Sequence, residues 1–110
     1  MKQREIWYAD LNPVVGSEQK GFRPVVIVSG DMLNKHLKIV IVCPLTTKIK
    51  NYKGNIVLVP TVQNGISKPS EIMIFHVRSI SKDRLVKKIG SITADELTTL
   101  KQGLNDILRY

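Results

Sequence analysis

The sequence predicts a mainly β protein with some α structure, in which a small, strongly bent antiparallel sheet or barrel precedes one C-terminal amphipathic helix. Short runs rich in Val, Ile and Leu alternate with Gly, Pro and Asn breakers up to about residue 93, which is the spacing of such a sheet. After that point the apolar residues recur at helical spacing. The length of 110 residues is that of one domain, which we assign to residues 1–110.

Six segments have the composition of strands. Residues 24–29 and 38–44 are almost continuous β-branched runs, which is typical of strands that are covered on both faces. A helical turn is predicted after Ser81, in the sequence SKDRL. The remaining predicted strands are residues 5–11, 55–59, 71–77 and 84–89.

One helix is predicted at the C-terminal end. Thr93 and Glu96 have the spacing of a capping box, in which each side chain bonds the backbone N–H of the other residue. The apolar residues of the helix form one stripe along its surface. This stripe predicts that the helix packs on one side of the barrel or on a second subunit. Its apolar residues are Leu97, Leu100, Leu104, Ile107 and Leu108.

The net charge is +8, from 17 basic and 9 acidic side chains. The surplus lies in the middle of the chain, because residues 1–30 and 91–110 are each nearly neutral. A polyanion is therefore a reasonable partner. The alternative is that the basic surplus serves solubility alone.

The single cysteine, Cys43, lies in the apolar run IVIVCPL, where we interpret it as a small buried hydrophobic residue. One cysteine cannot form an internal disulfide, which fits a reducing compartment. The N-terminal residues show no signal-peptide pattern, and no apolar run is long enough to span a bilayer. We expect a soluble, cytoplasmic protein that does not act at a membrane.

Metal and nucleotide sites are not predicted. His36 and His76 are far apart in sequence and have no acid at ligand spacing. The loop GSEQKG has no helix signal after it, so it does not match a phosphate-binding loop at a helix N-terminus. We predict no metal and no cofactor.

Arg23 stands where a polar loop enters one predicted strand, and Thr46 and Thr47 stand where the next strand leaves its apolar run. If these strands are neighbours, the three side chains lie at one rim of the sheet. A guanidinium with adjacent hydroxyls is a good receptor for a phosphodiester. The structural alternatives are a salt bridge between Arg23 and Glu18, and turn or strand-end hydrogen bonds for the threonines.

Three segments, EIWYADLNPVVGSEQKGFRPVVIVSGD, VCPLTTKIK and VRSISKDRLVKKIGSIT, together with the closing helix, resemble the MazF/PemK family of toxin endoribonucleases. The matching segments run in order over essentially the whole chain. The most specific pieces are the loop and strand around GSEQ and RPVV, and the sequence PLTT that follows them.

The resemblance implies an SH3-like antiparallel β-barrel that forms a homodimer. It implies metal-independent cleavage of single-stranded RNA at short specific sequences. It also implies a cognate antitoxin whose acidic, partly disordered tail covers the RNA groove. Each of these is an expectation for this chain.

The resemblance places the functional arginine of the family at Arg23 and its functional threonine at Thr46, with Thr47 as the second choice. Glu18 and Gln19 match the loop acid and amide of the family. Some members use an Arg-x-Asp element as base, but this chain has Ile-Phe-His at that place. We therefore predict Glu18 as the first candidate for the general base. His76 is the second, because histidine titrates near neutral pH.

His76 also has a structural interpretation as a core residue. If residues 71–77 form one strand, alternation places it on the same face as Ile74 and Arg78. We predict that RNA is bound by a further set of polar and basic residues and one tyrosine. These are Gln19, Lys20, Thr47, Lys48, Lys50, Tyr52, Lys53 and Arg78.

The predicted reaction uses the 2′-hydroxyl beside the scissile phosphate as nucleophile and gives 2′,3′-cyclic phosphate and 5′-hydroxyl ends. Two other functions stay open. One is a non-catalytic SH3-like toxin that acts through protein contacts, as related toxins that poison a DNA topoisomerase do, and the other is plain RNA binding. Arg23 with Thr46 favours the nuclease over a protein-binding toxin, because phosphate chemistry needs these groups and a protein interface does not.

Overall fold

In a computed structural model, residues 1–11 and 21–109 are described, and they form one antiparallel sheet system with two α-helices. The helices are α1 (Asp31–His36) and α2 (Ala94–Arg109). The strands are β1 (Glu5–Asp10), β2 (Phe22–Ile27), β3 (Ile39–Thr46), β4 (Ile56–Leu58), β5 (Ser70–Ile72), β6 (Arg78–Ser81) and β7 (Leu85–Ser91).

Strand β3 is the centre of the sheet, whose strand order is β4-β5-β3-β2-β1-β7. One edge of β3 pairs with β2. The other edge pairs first with β6, along Ile39 to Val42, and then with β5, at Leu45 and Thr46. Because two strands share one edge of β3, the sheet divides there and curls into a half-barrel. The predicted bent antiparallel sheet with a C-terminal helix is confirmed.

Alternation along the central strands supplies two separate apolar clusters. Val26 and Cys43 belong to the cluster that includes Leu100 of α2, whereas Val25 and Val42 belong to the cluster on the other face. The prediction that the β-branched runs are covered on both faces is therefore confirmed. Such two-sided burial fixes the register, because a shift by one residue would exchange the faces.

Helix α2 begins with the predicted capping box. The backbone N–H of Thr93 donates to Oε1 of Glu96 (2.8 Å), and the N–H of Glu96 donates to Oγ1 of Thr93 (3.0 Å). Leu100 is fully buried, while Leu108 is 85% exposed. Leu97, Leu104 and Ile107 are partly buried against the same core. The stripe therefore closes one side of the half-barrel, and Leu108 lies outside this packing.

We expect Thr93→Ala to lower the free energy of unfolding by about 1 kcal/mol, because it removes the side-chain acceptor at the helix start. Urea denaturation measures the change. Thr98→Ala makes the same substitution at an exposed position within α2, where alanine favours the helix. Equal losses for the two variants would contradict a capping role for Thr93.

Three features differ from the prediction. Helix α1 and strand β6 were not predicted. Residues 71–77 do not form one strand, because β5 ends at Ile72 and a 3₁₀ turn follows at Ile74–His76. The prediction that His76 shares a strand face with Ile74 and Arg78 is therefore wrong, because His76 is not in a strand. The chain turns here because β3 exchanges β5 for β6 as its partner.

The turn predicted after Ser81 is confirmed as a 3₁₀ turn at Lys82–Arg84, where the Ser81 hydroxyl accepts the N–H of Asp83 (3.3 Å). Cys43 is fully buried, and burial raises the pKa of its thiol to about 12. The thiol is therefore un-ionised at neutral pH, as expected for a packing residue. Within residues 1–11 and 21–109, no helix is long and apolar enough to cross a membrane.

Candidate nucleic-acid interface

Arg23 lies near the start of β2, at the rim of the half-barrel where β3 ends. Strand β2 pairs with β3 from Ile27 opposite Val42 to Val25 opposite Pro44, so Arg23 and Thr46 each stand two residues beyond the last pair, at the same end of the two strands. On its other side Arg23 pairs with Ala9 of β1. Strands β2 and β3 are therefore neighbours, as a shared rim requires. The backbone of Arg23 is held next to β1.

A groove of about 380 Å³ opens beside Arg23 and is called the Arg23 groove. Thr47, which is exposed at the end of β3, lines this groove, and so does Lys68. Two exposed aromatic side chains, Tyr8 and Phe22, also line it. The groove therefore combines cationic groups, which suit phosphate, with ring faces on which bases stack.

A second groove, of about 260 Å³, is called the His76 groove. His76 and Thr46 line it, and four further lining residues come from the loop between β3 and β4. Because Thr46 and Thr47 are consecutive and line different grooves, the two grooves meet at the end of β3. The loop residues are Lys48, Lys50, Tyr52 and Asn55.

The hydroxyl of Thr46 has a structural partner. Thr46 is 9% exposed, and its Oγ1 accepts a hydrogen bond from the backbone N–H of Lys48 (3.1 Å). The strand-end bond named as the structural alternative is therefore present. A hydroxyl that accepts one bond retains its own hydrogen for donation, so this contact is compatible with a role of Thr46 as a donor in the groove.

His76 ends the 3₁₀ turn that follows β5, and its backbone N–H donates to the carbonyl oxygen of Met73 (3.1 Å). The side chain is partly buried and lines the groove that it shares with Thr46. In this position His76 faces polar and basic groups of the loop. The turn thus brings His76 to the end of β3 by a route that strand alternation did not predict.

Some predicted RNA-binding residues lie elsewhere. Lys53 lines a different, more apolar groove with Phe75 and with Ile107 of α2. Arg78 lies on β6, where it pairs with Val42 of β3. Among the described residues, neither Lys53 nor Arg78 lines the Arg23 groove or the His76 groove. The predicted residues Glu18, Gln19 and Lys20 lie outside the described residues.

Glu71 is a residue of this region that the sequence analysis missed. It lies on β5 opposite Thr46 and is 1% exposed. Burial alone raises the pKa of its carboxyl group, but hydrogen bonds from Asn55 and from three backbone N–H groups outweigh burial and bring the pKa below its usual value. Glu71 is therefore an ionised carboxylate at neutral pH, beneath a basic loop.

The described part of the chain contains no group of three or more His, Cys, Asp or Glu side chains arranged to hold a metal ion. Fold and site together define a small half-barrel protein with a basic, partly aromatic rim. The chain belongs to the family of PemK-like, MazF-like toxins of type II toxin–antitoxin systems, whose family model matches residues 2–108.

Curated relatives match nearly the whole chain. Endoribonuclease EndoA of Bacillus subtilis is 32% identical over 105 residues, which cover 94% of this chain and 90% of the relative. Endoribonuclease MazF of Staphylococcus saprophyticus is 32% identical over 106 residues, which cover 96% of this chain and 88% of the relative. The family expected from the sequence is thus confirmed.

Solved structures share the fold. The crystal structure of MazF from Deinococcus radiodurans has a TM-score of 0.86 at 23% identity and covers 100% of this chain and 97% of that chain. An endoribonuclease from a mycobacterial species, solved in complex with its cognate antitoxin, has a TM-score of 0.81 at 19% identity, covering 99% of this chain and 95% of that chain.

Proposed function

We propose that this toxin is a sequence-specific endoribonuclease that cuts single-stranded RNA without a metal. The observation that supports the proposal is the rim where β2 begins and β3 ends, in a chain about one-third identical to curated endoribonucleases. Arg23 and Thr47 line one groove at this rim, and Thr46 lines the next. Metal independence comes from the family resemblance.

Arg23 binds the scissile phosphate in the Arg23 groove. Its guanidinium offers a fork of donors to two phosphate oxygens. Negative charge grows on the equatorial oxygens as the 2′-hydroxyl attacks, so the donors bind the transition state more strongly than the substrate. Arginine is not a base at neutral pH, and its role is therefore charge stabilisation.

The threonines hold the reacting groups in line. Thr47 lies with Arg23 and can donate to the same phosphate, whereas Thr46 lies at the junction with the His76 groove. Holding the 2′-hydroxyl opposite the leaving 5′-oxygen accelerates the reaction, because displacement at phosphorus requires this alignment. The products are a 2′,3′-cyclic phosphate and a 5′-hydroxyl end.

The general base is proposed to be Glu18 first and His76 second. Glu18 stands five residues before Arg23 in the sequence and matches the loop acid of the family. His76 lines the groove adjacent to the one that contains Arg23. A base must be within hydrogen-bond reach of the 2′-hydroxyl, directly or through one water molecule, so the position of the RNA decides between the two.

The basic loop and the aromatic side chains of the Arg23 groove provide a path for the RNA. Lys48 and Lys50 attract the backbone, while Tyr52 and Phe22 offer exposed ring faces for stacking. An acidic antitoxin would compete for the same basic face. We also propose that the toxin acts in the cytoplasm as a homodimer, as the family resemblance implies.

Mixed-sequence RNA incubated with the purified toxin in excess EDTA is expected to be cut at one recurring short word, which mapping of the new 5′ ends identifies. A short RNA with that word then tests the chemistry. A single 2′-deoxy substitution at the nucleotide before the cut should abolish cleavage there, because it removes the nucleophile. The matched control carries the 2′-deoxy substitution one nucleotide farther away.

Cleavage that survives the first substitution would overturn attack by the 2′-hydroxyl. Cleavage that requires an added divalent cation would overturn metal independence. Intact RNA, with the protein folded and free of antitoxin, would favour a non-catalytic toxin that acts through protein contacts.

A further inference from the structure

One buried carboxylate organises the basic loop beside the His76 groove. Oε1 of Glu71 accepts the backbone N–H groups of Lys50 (2.7 Å) and Asn51 (3.2 Å). Oε2 accepts the N–H of Tyr52 (3.0 Å) and Nδ2 of Asn55 (2.8 Å). Three consecutive backbone N–H groups therefore converge on one side chain, an arrangement of the kind that binds anions in proteins.

The loop has few other means of holding its shape. Lys50, Asn51, Tyr52 and Lys53 are all exposed, so little apolar burial fixes them. Asn51 has a φ of 53°, in the left-handed region, which asparagine adopts more readily than most non-glycine residues. The carboxylate below the loop supports this conformation, since it binds the N–H groups of Asn51 and of both neighbours.

Glu71 is itself fixed in place. It pairs with Thr46 on β3 and with Val57 on β4, so its backbone lies between two strands. Asn55 bonds its carboxylate and also accepts the backbone N–H of Ile74 through Oδ1 (3.1 Å). The loop is therefore connected to the strands and to the 3₁₀ turn that ends at His76.

We propose that Glu71 is a positioning residue for RNA binding, which holds residues 50–52 in the conformation that directs Lys50 and Tyr52 into the groove shared with Thr46 and His76. This inference rests on the proposed function. Glu71 also lines this groove, but it is 1% exposed and its carboxylate accepts four hydrogen bonds from the loop, so it acts on the RNA through the loop that it holds.

Glu71→Gln and Glu71→Ala test the inference with the full-length toxin and a short RNA containing its cut word. We expect KM to rise about tenfold or more, the equivalent of one lost charge-assisted hydrogen bond, with kcat changed less than about threefold. Glutamine retains one acceptor oxygen and should lose less than alanine. Asp83→Asn, an exposed acid outside both grooves, controls for the change in net charge.

Two further measurements separate positioning from a general loss of stability. Amide hydrogen exchange at residues 50–52 should accelerate in the Glu71 variants while exchange in β1 and β2 is unchanged. The dissociation constant for the same RNA with a 2′-deoxy nucleotide at the cut, which is bound and not cleaved, should rise in step with KM. Asn55→Ala, which removes one of the four donors, should change both quantities in the same direction if the Glu71 variants do not fold.

Faster exchange in the loop with KM and binding unchanged would overturn the inference, and so would equal losses in kcat and in binding. These results differ from a failure of the proposed function. In that case the wild-type toxin itself would leave RNA intact, and the premise of the inference would fall with it.

Discussion

Arg23→Ala is expected to lower kcat for RNA cleavage by about 100- to 1,000-fold, equivalent to about 2.7–4 kcal/mol of transition-state stabilisation. The side chain is partly exposed at the rim, so the fold should survive its truncation. Binding of uncleavable RNA should weaken far less, because the donors of Arg23 matter most when charge accumulates on the phosphorane. Single-turnover cleavage with saturating toxin measures the effect on the chemical step.

Two variants control this experiment. Arg109→Ala makes the same substitution on an exposed residue at the end of α2 and should leave cleavage unchanged. Arg23→Lys keeps the charge but loses the planar fork of donors, so it should recover only part of the rate. Cleavage by Arg23→Ala at the wild-type rate would remove Arg23 from the site.

Glu18→Gln is expected to lower kcat by about 100- to 10,000-fold, the range typical of a lost general base. His76→Asn should cost less than about tenfold. Glu18 is placed first because it stands five residues before Arg23 in the sequence and matches the loop acid of the family. His76 is placed second because it lines a different groove from Arg23. Rates are compared under single-turnover conditions.

The pH dependence of kcat/KM provides a separate measurement. A carboxylate base gives the acid limb at a lower pH than an imidazole base does. We expect the limb of the wild type at the lower value, unchanged in His76→Asn. A limb near neutrality that disappears in His76→Asn, with Glu18→Gln active, would exchange the two roles.

The strands with strong local signals could be predicted from the sequence. The β-branched runs of β2 and β3 and the capping box of α2 are local patterns, and the strands and the helix start that they predict are present. Helix α1 has only six residues, too few for a periodic pattern. It is supported by a contact with the chain before it, since Asn34 of α1 and Ser29 hydrogen-bond each other in the interior.

The break within residues 71–77 could not be predicted from the local sequence, because its cause is non-local. The run EIMIF has the composition of a strand. Its division follows from the exchange of β5 for β6 along the edge of β3, which depends on segments far apart in the chain. Tertiary pairing decides strand ends more strongly than intrinsic preference does.

The candidate site also contains residues that local sequence predicts and residues whose place depends on non-local contacts. The rim of Arg23, Thr46 and Thr47 could be predicted because it needed only that two consecutive strands be neighbours. Glu71 could not be placed, since the groups that bind its carboxylate lie 16 to 21 residues earlier in the chain. An acid within an apolar run was the only available signal. The aromatic side chains of the Arg23 groove could not be placed either, because the sequence does not say which strand faces are exposed.

The hydrogen bonds of Glu71 have a consequence for how this toxin could change its target. The carboxylate holds the loop through backbone N–H groups, which every amino acid except proline possesses. Side chains at positions 50 and 52 can therefore be exchanged while the path of the chain is preserved. Under the proposed function, mutational drift at these two positions would alter how RNA is bound and leave the path of the loop and the proposed catalytic residues as they are.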